Sequence, residues 1–216
     1  MSDFVYTVGD SLYLNLTNRC TNECPFCIRN KSRKFNQAHD LWLTKEPTAE
    51  ELITAIGDPT KYKQIVFCGY GEPTIRLDIA KEVARTIKPP LSFGHLPLIK
   101  GEIREGVKIR LDTNGTGNLF WGRNILPELK GLIDFISISL NAQNTAVYEK
   151  ICRPQFGKQT YPAIIEFIKE AKIYIPKVEV TVVDLPTVDK EACRKIAEDL
   201  GVSFRIRPYY EVNYVR

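Results

Sequence analysis

The 216-residue sequence contains no apolar run that approaches the roughly 20 residues of a membrane-spanning helix. Its N-terminal segment, 1–11, is short and polar and does not look like a secretory signal peptide. Internal repeats and low-complexity segments are absent. With 44% apolar and 26% charged residues, the chain is predicted to form one globular domain over 1–216, in the cytoplasm and without a membrane partner.

Histidine is scarce, with only His39 and His95, and both lie in polar segments that predict surface positions. Six cysteines without an export signal indicate reduced thiols and not a disulfide framework. Three of them stand singly, so a second cluster motif is not expected: Cys68, Cys152 and Cys193.

The other three cysteines follow a short apolar segment in the stretch LYLNLTNRCTNECPFCIR, within a predicted cluster-binding loop at 18–46. Cys20, Cys24 and Cys27 have the spacing C-x3-C-x2-C. Three thiolates can hold three irons of a cubic 4Fe–4S cluster, which leaves one iron open. Structural zinc needs a fourth ligand, for which His39 is the local candidate. The spacing favours the cluster over a zinc knuckle or chance clustering of thiols.

Six apolar segments alternate with helical ones, which predicts a parallel α/β fold. The predicted strands are Leu12–Thr17, Gln64–Cys68, Val107–Asp112, Phe135–Leu140, Lys177–Val183 and Ser203–Arg207. The predicted helices run from Thr48 to Ile56, Arg76 to Lys88, Ile125 to Lys130, Ala146 to Cys152, Tyr161 to Tyr174 and Lys190 to Leu200. Residues 89–106 lack periodicity and are read as an insertion, either part of a substrate lid or an irregular surface loop.

Apolar and polar residues alternate along most of these strands, whereas parallel strands covered on both faces are usually apolar throughout. The alternation places apolar residues under the helices and polar residues in the lumen of a barrel. Buried polar groups are costly when unpaired, so a wet, ligand-filled lumen is predicted. An antiparallel sheet with one solvated face is the alternative.

Polar turns follow three of the strands, at the ends where α/β barrels bind ligands. Gly69-Tyr70-Gly71-Glu72-Pro73 offers glycines for close backbone approach and a carboxylate that can accept hydrogen bonds from an ammonium group. Thr113-Asn114-Gly115 follows the third strand and Ser139-Leu140-Asn141 ends the fourth. Each is also compatible with an ordinary turn or strand end.

The cysteine spacing after a first strand, with Phe26 just before the third cysteine, resembles the radical S-adenosylmethionine (SAM) superfamily. In that family SAM chelates the open iron, and electron transfer from the cluster cleaves SAM to a 5′-deoxyadenosyl radical. The resemblance implies a partial (βα)6 TIM-type barrel, one 4Fe–4S cluster, SAM, and a flavodoxin- or ferredoxin-type reductant. The small size and the segments CGYGEPT and SLNAQN look most like the TatD-associated radical SAM proteins.

The resemblance also implies which residues contact SAM. The G-x-G-E-P turn would bind the amino group, the TNG turn would lie beside SAM, and the strand-end pair would contact the ribose or carboxylate. An aromatic before the last cysteine and an apolar residue in the fifth strand would contact adenine. The implied SAM residues are Phe26, Gly69, Tyr70, Gly71, Glu72, Thr113, Asn114, Ser139, Asn141 and Val182.

Four charged residues are predicted to project into the lumen as substrate candidates: Arg110, Glu179, Arg205 and Arg207. Guanidinium groups form bidentate pairs with carboxylate and phosphate, which predicts a small-molecule or peptide substrate with an anionic group. The alternative is an internal arginine–carboxylate network that supports the barrel. Tyr209, Tyr210 and Tyr214 are expected to pack the C-terminus.

Other functions remain open at this stage. A glycyl-radical activase acting on a partner protein and a deazaguanine-synthase-like enzyme are alternatives within radical chemistry. A non-catalytic iron–sulfur or zinc protein that binds nucleic acid through the basic segment 29–34 is the alternative from another class. The net charge of +4 is compatible with nucleic acid but does not require it. A charge run of this kind is usually a solvated loop, and apart from Phe35 no interleaved aromatic residue supports base stacking.

Overall fold

A seven-stranded sheet, covered on one face by helices, forms the centre of the protein. The computed structural model describes residues 3–88 and 107–209. The strands are β1 (Val5–Val8), β2 (Ser11–Leu14), β3 (Lys34–Phe35), β4 (His39–Asp40), β5 (Gln64–Phe67), β6 (Lys108–Thr113), β7 (Phe135–Ser139), β8 (Lys177–Val183) and β9 (Ser203–Arg207). The α-helices are α1 (Ala49–Ile56), α2 (Leu77–Ile87), α3 (Gly117–Trp121), α4 (Leu126–Leu129), α5 (Thr145–Cys152), α6 (Thr160–Tyr174) and α7 (Lys190–Asp199).

The sheet has the strand order β1-β2-β5-β6-β7-β8-β9. All neighbours from β2 to β9 pair in parallel, and β1 pairs antiparallel with β2. Helices lie in the connections between the parallel strands, because parallel neighbours need a crossover connection. The predicted parallel α/β fold with six parallel strands is therefore confirmed, and the antiparallel alternative is wrong.

The two faces of the sheet differ as the alternation predicts. Leu12, Ile109, Ile136 and Val180 are fully buried and belong to one core cluster with the helices. The opposite face carries polar and aromatic side chains that line a cavity, described below. The exception is β9, where Ile206 is 38% exposed, because this edge strand is only partly covered by α7. Ile206 is paired with Val182 and therefore lies on the predicted helix side of the sheet, but the helices cover it only in part.

Local signals at the helix ends were informative. Thr48 caps α1 as predicted: its hydroxyl accepts from the Glu51 backbone N–H at 3.1 Å, and the Glu51 carboxylate accepts from the Thr48 N–H at 2.9 Å. Predicted and observed element ends agree within one or two residues for most helices. The first parallel strand is shorter than predicted, because it ends at Leu14 where the Asn15 side chain bonds across to the cluster-binding loop.

Among the strands and α-helices, four were not predicted: the edge strand β1, the strands β3 and β4 of a small hairpin, and the short helix α3. The three strands lie in segments read as polar, where only short runs alternate. The predicted insertion at 89–106, His95, Tyr210 and Tyr214 fall outside the described residues. Within 3–88 and 107–209, no helix is both long and apolar enough to cross a membrane.

Candidate active site

One cavity of about 390 Å³ lies on the polar face of the sheet, at the carboxyl ends of the parallel strands. Its volume falls in the range of sites for small molecules. Three groups of residues meet there: the cysteine loop, the turns after β5 and β6, and the ends of β7, β8 and β9. The predicted site residues among its lining are Cys20, Cys24, Phe26, Cys27, Gly69, Tyr70, Gly71, Glu72, Thr113, Asn114, Ser139, Asn141, Arg205 and Arg207.

The three cysteines of the loop are held by contacts to α5 and to the loop itself. The Glu23 N–H donates to the Cys152 carbonyl at 3.0 Å, and Asn22 Nδ2 donates to Tyr148 Oη at 2.8 Å. Within the loop the Cys27 N–H donates to the Cys24 carbonyl at 3.0 Å, which forms a tight turn between these two cysteines. These backbone and side-chain bonds order the loop, and all three cysteines line the cavity.

The cysteine thiols are half-buried, and their surroundings disfavour the thiolate. Burial raises the pKa of Cys20 to about 12 and also raises the pKa of Cys27. The pKa of Cys24 is raised first by its hydrogen bond with Cys152 and then by burial. Thiols in such surroundings become ligands when a metal displaces their protons.

The donor set fits a cluster better than a single ion. Within the described parts of the chain, no three His, Cys, Asp or Glu side chains converge on one metal position. His39 lies away from the cysteines, 3.4 Å from an Asp3 carboxylate oxygen and against the Tyr6 ring. Cys20, Cys24 and Cys27 share one cavity, and among residues 3–88 and 107–209 no fourth ligand converges with them on a metal position. This arrangement suits a 4Fe–4S cluster with one open iron.

Glu72 connects the turn after β5 to the turn after β6. Its Oε1 accepts from the backbone N–H and the hydroxyl of Thr74 and from the Thr113 hydroxyl, at 2.7 to 3.0 Å. Its Oε2 accepts only the Asn114 N–H, at 2.7 Å, among the described contacts. Burial raises the pKa of this carboxyl, although the hydrogen bonds oppose the shift.

Glu72 therefore fits a cationic ligand. It is 3% exposed, lines the cavity, and has no ion-pair partner among the residues that the structure describes. Its Oε2 can accept a further hydrogen bond. An ammonium group such as that of SAM would balance the buried charge, which agrees with the predicted contact.

Asn114 joins this turn to the cysteine loop. Its Nδ2 donates to Thr21 Oγ1 at 2.9 Å and lies 3.7 Å from the Cys20 sulfur. Its Oδ1 accepts from Thr116 at 2.7 and 3.0 Å. The side-chain amide of Asn114 is hydrogen-bonded to Thr21 and Thr116 and thereby positions the cysteine loop. A contact between Asn114 and SAM would involve the part of the residue that faces the cavity.

The glycines after β5 also have a packing role. A Cβ at Gly69 would lie 2.0 Å from Asn15 Oδ1, and a Cβ at Gly71 would lie 2.3 Å from the Thr17 carbonyl and 2.4 Å from the Arg19 carbonyl. Glycine is therefore required at both positions for close packing against the end of β2 and the loop that follows it. Both glycines also line the cavity, and their contact with SAM stays a prediction.

The position of Val182 contradicts its predicted contact with SAM. It is fully buried in the core under the helices, on the face of β8 opposite to the cavity. Because side chains alternate along a strand, its neighbours Thr181 and Val183 line the cavity instead. Val183 is the apolar residue of the fifth parallel strand that can contact a ligand.

The four charged substrate candidates are not equivalent. Arg110 forms a bidentate pair with Asp112, with Nε–Oδ1 at 2.5 Å and Nη2–Oδ2 at 3.2 Å. Glu179 is bonded by Arg205 at 2.9 Å. Neither Arg110 nor Glu179 lines the cavity. Arg110 and Glu179 therefore belong to an internal arginine–carboxylate network that supports the barrel. Arg205 and Arg207, which line the cavity, are the remaining candidates for substrate binding.

Arg207 reaches across β8 to the end of β7. Its Nη2 donates to Ser139 Oγ at 3.1 Å and to Asn141 Oδ1 at 3.3 Å. Asn141 has a left-handed backbone with φ 57°, a conformation that asparagine tolerates. Burial lowers the pKa of Arg207.

Several cavity residues were missed in the sequence. Tyr6 from β1 and Tyr13 from β2 stack at 5.2 Å between ring centroids, and Phe35 lies 5.5 Å from Tyr6. Cys68, read as an isolated thiol, also lines the cavity beside Tyr6, whose hydroxyl donates to the Cys68 carbonyl at 3.2 Å. The alternation of β2 places Tyr13 on the polar face, so that residue could have been found; Tyr6 could not, because β1 was not recognised.

The basic segment 29–34 is partly used inside the protein. Arg29 donates to the carbonyls of Asn18 and Asn22 at 3.1 and 3.3 Å, and Arg33 pairs with Asp40 at 3.4 Å. Two of its charged side chains therefore shape the cluster-binding loop, which weakens the nucleic-acid alternative.

The fold and site together define an α/β enzyme domain of the partial-barrel type with a three-cysteine centre at the strand ends. The family model described as the Radical SAM superfamily matches residues 14–200. The chain belongs to this superfamily, whose members are enzymes that use a 4Fe–4S cluster and SAM.

Solved structures agree on the fold. The chain is similar to a radical SAM methyltransferase from Sphaerobacter thermophilus, with a TM-score of 0.53 and 14% identity over 94% of this chain and 68% of that one. It is also similar to HydG, a maturase of the [FeFe]-hydrogenase, with a TM-score of 0.60 and 18% identity over 95% of this chain. The match spans 44% of HydG. No curated protein sequence matches. The finer resemblance to TatD-associated proteins stays a prediction.

Proposed function

We propose that this chain is a radical SAM enzyme that removes a hydrogen atom from a substrate bearing an anionic group. Cys20, Cys24 and Cys27 would hold one 4Fe–4S cluster, and Glu72 would bind the ammonium group of SAM. When bound and reduced, the cluster and SAM supply a 5′-deoxyadenosyl radical as the hydrogen-abstracting group. The electron would come from a flavodoxin- or ferredoxin-type protein.

This proposal rests on two features of one cavity: a set of three thiols that can ligate iron, and a buried carboxylate that can bind a cation. Within the part of the chain that the structure describes, the three thiols have no fourth protein ligand and Glu72, a buried carboxylate, has no cationic partner. The thiols and Glu72 face the same cavity. The Asn114 side chain connects the two, since it bonds Thr21 in the cysteine loop while its backbone N–H bonds Glu72.

The residues around the cavity have tasks that do not depend on the substrate. The Tyr6, Tyr13 and Phe35 rings exclude water from one side. Glu72 and the arginines orient charged groups, so that the target C–H bond can be held in one position. No acid–base triad is needed for hydrogen-atom abstraction.

Anaerobic reconstitution tests the proposal. The full chain should bind about four irons and, with dithionite and SAM, release 5′-deoxyadenosine and methionine. A variant with Cys20, Cys24 and Cys27 all changed to Ala is the matched control and should do neither. An iron-loaded wild-type chain that leaves SAM intact, or a chain that binds only zinc, would contradict the proposal.

A further inference from the structure

The basic segment 29–34 is only partly used by the fold. Its sequence, RNKSRK, contains four basic residues and no acidic one. Arg29 and Arg33 bond to neighbouring groups of the chain. Lys31 and Lys34 are exposed, and among the described residues neither side chain has an ion-pair or hydrogen-bond partner. The outer side of the segment therefore presents two positive charges that the described part of the chain does not pair.

Contacts on the inner side fix where these lysines lie. The Tyr70 hydroxyl donates to the Ser32 carbonyl at 2.7 Å, which joins the segment to the turn after β5. Ile28 and Phe35, on either side of the segment in the chain, pack on the core cluster that contains Tyr70. The segment is thus part of the folded structure on its inner side, and its lysines have defined positions on the outer side.

The lysines lie beside cysteines that the proposed cluster uses. One turn of 3₁₀ helix, Ile28–Asn30, connects Cys27 to Lys31. At a rise of roughly 2 Å per residue, the backbones of Cys27 and Lys31 are about 8 Å apart. The Asn30 side chain also donates to the Cys24 carbonyl at 2.9 Å. Because electron transfer through protein slows steeply with distance, a carrier that docks on this surface is well placed to reduce the cluster.

Trp42 adds an apolar contact to the charged surface. β3 and β4 pair so that Lys34 lies opposite Asp40, and the next contact is the Leu41 N–H, which donates to the Arg33 carbonyl at 3.0 Å. Leu41 is buried, so the alternation of side chains directs Trp42 outward, where it is 38% exposed. Tryptophan is among the residues that most often dominate the binding energy at interfaces. A small surface of this kind is typical of electron-transfer encounters.

We propose that Lys31, Lys34 and Trp42 form the docking surface for an acidic one-electron carrier protein. The inference rests on the proposed function, because that function requires an electron for the cluster. In each encounter the reduced carrier loses one electron and the oxidised cluster gains it, and no bond forms or breaks at the surface. Carboxylates on the carrier complement the lysines and steer its approach.

The first measurement is the equilibrium binding of oxidised flavodoxin, an acidic carrier, to the full chain reconstituted anaerobically. Lys31→Gln combined with Lys34→Gln should weaken binding about ten-fold at low ionic strength. Lys169→Gln combined with Lys195→Gln removes the same charge from exposed positions on α6 and α7 and should leave the affinity unchanged. Because salt screens exposed charges, the wild-type affinity should fall more steeply with salt than the affinity of the variant lacking Lys31 and Lys34.

The apolar part of the surface is tested in the same titration. Trp42→Ala should weaken flavodoxin binding about ten-fold. Its salt dependence should stay that of the wild type, since the tryptophan carries no charge. Ile173→Ala, at an exposed position on α6, is the matched control and should bind flavodoxin as the wild type does.

The second measurement is electron transfer to the chain saturated with SAM. The rate with flavodoxin hydroquinone is divided by the rate with excess dithionite for the same protein. This quotient should fall about ten-fold without Lys31 and Lys34 and stay constant without Lys169 and Lys195. Dithionite is small and needs no docking surface, so the quotient corrects for differences in iron content.

Three outcomes overturn the proposal: unchanged flavodoxin binding without Lys31 and Lys34, an equal loss of binding in the Lys169 and Lys195 control, or an oligonucleotide that binds this surface more tightly than flavodoxin does. The last would assign the surface to nucleic acid. If the double variant does not fold, Lys34→Gln, which lies farther along the chain from Cys27, replaces it.

The two proposals fail in different ways. A chain that oxidises flavodoxin hydroquinone but leaves SAM intact refutes the proposed function and not the docking surface. A chain that cleaves SAM with dithionite, and that binds flavodoxin equally well without the two lysines, refutes the docking surface and not the proposed function.

Discussion

Glu72 accepts a hydrogen bond from the backbone N–H of Asn114 at 2.7 Å, although 42 residues separate them in the chain. The bond joins the turn after β5 to the turn after β6, and the Asn114 side chain extends the connection to the cysteine loop. The buried carboxylate of Glu72 thereby holds together the turns after β5 and β6 beside the candidate cofactor site.

Replacing Glu72 by Gln should separate ligand binding from cluster binding. The neutral amide cannot balance an ammonium group, so SAM affinity should fall about ten-fold or more. Iron content should stay at the wild-type level, because the cysteines are unchanged. Equilibrium binding of SAM to the reconstituted protein measures the effect, and Glu191→Gln, on the exposed face of α7, is the control. Unaltered SAM affinity in Glu72→Gln would remove Glu72 from the SAM site.

Each cysteine of the loop should be required for the cluster. Cys20→Ala, Cys24→Ala and Cys27→Ala should each lose most of the iron and the brown colour, since no other thiol of the loop can replace a missing ligand. Cys193→Ala removes a thiol buried far from the cavity lining and should keep the iron. Iron analysis and the visible absorption spectrum report the result. Full iron content in any of the three loop variants would contradict the ligand assignment.

Gly71→Ala should destabilise the fold by about 3 kcal/mol, because its Cβ would overlap the backbone carbonyls of Thr17 and Arg19. Gly131→Ala is a useful comparison, since nothing lies within 4 Å of its Cβ and only its positive φ of 76° is strained. That change should cost about 1 kcal/mol. Urea unfolding of the metal-free proteins compares the two, and equal losses would refute the close-packing role of Gly71.

Asp112→Asn should destabilise the protein by about 2 kcal/mol, because it leaves the half-buried Arg110 without its bidentate partner. Asp199→Asn, which breaks an exposed pair with Lys195 on α7, should cost under about 1 kcal/mol. The free energy of unfolding in urea distinguishes them. If both variants lose the same small amount, the Arg110–Asp112 pair does not support the barrel in the way the structure indicates.

Much of the fold was readable in the sequence. Period-two alternation in Ile136 to Asn141 and in Val178 to Val182 predicted a sheet with one apolar and one polar face, and both faces are present. The same alternation placed Val182 with Val178 and Val180 in the core, so its assignment as an adenine contact conflicted with the pattern from the start.

By itself, the sequence determined the cysteine spacing, the order of strands and helices, and the polar turns at the strand ends, because these depend on local spacing and periodicity. Only the tertiary structure decided which charges are paired. Asp112 and Glu179 could each have met any of three arginines. In the structure Asp112 pairs with Arg110 on the same face of β6, and Glu179 pairs with Arg205 across from β8 to β9. That pairing leaves Arg207 unbalanced in the cavity, which no local pattern could reveal, since it depends on contacts between segments distant in the chain.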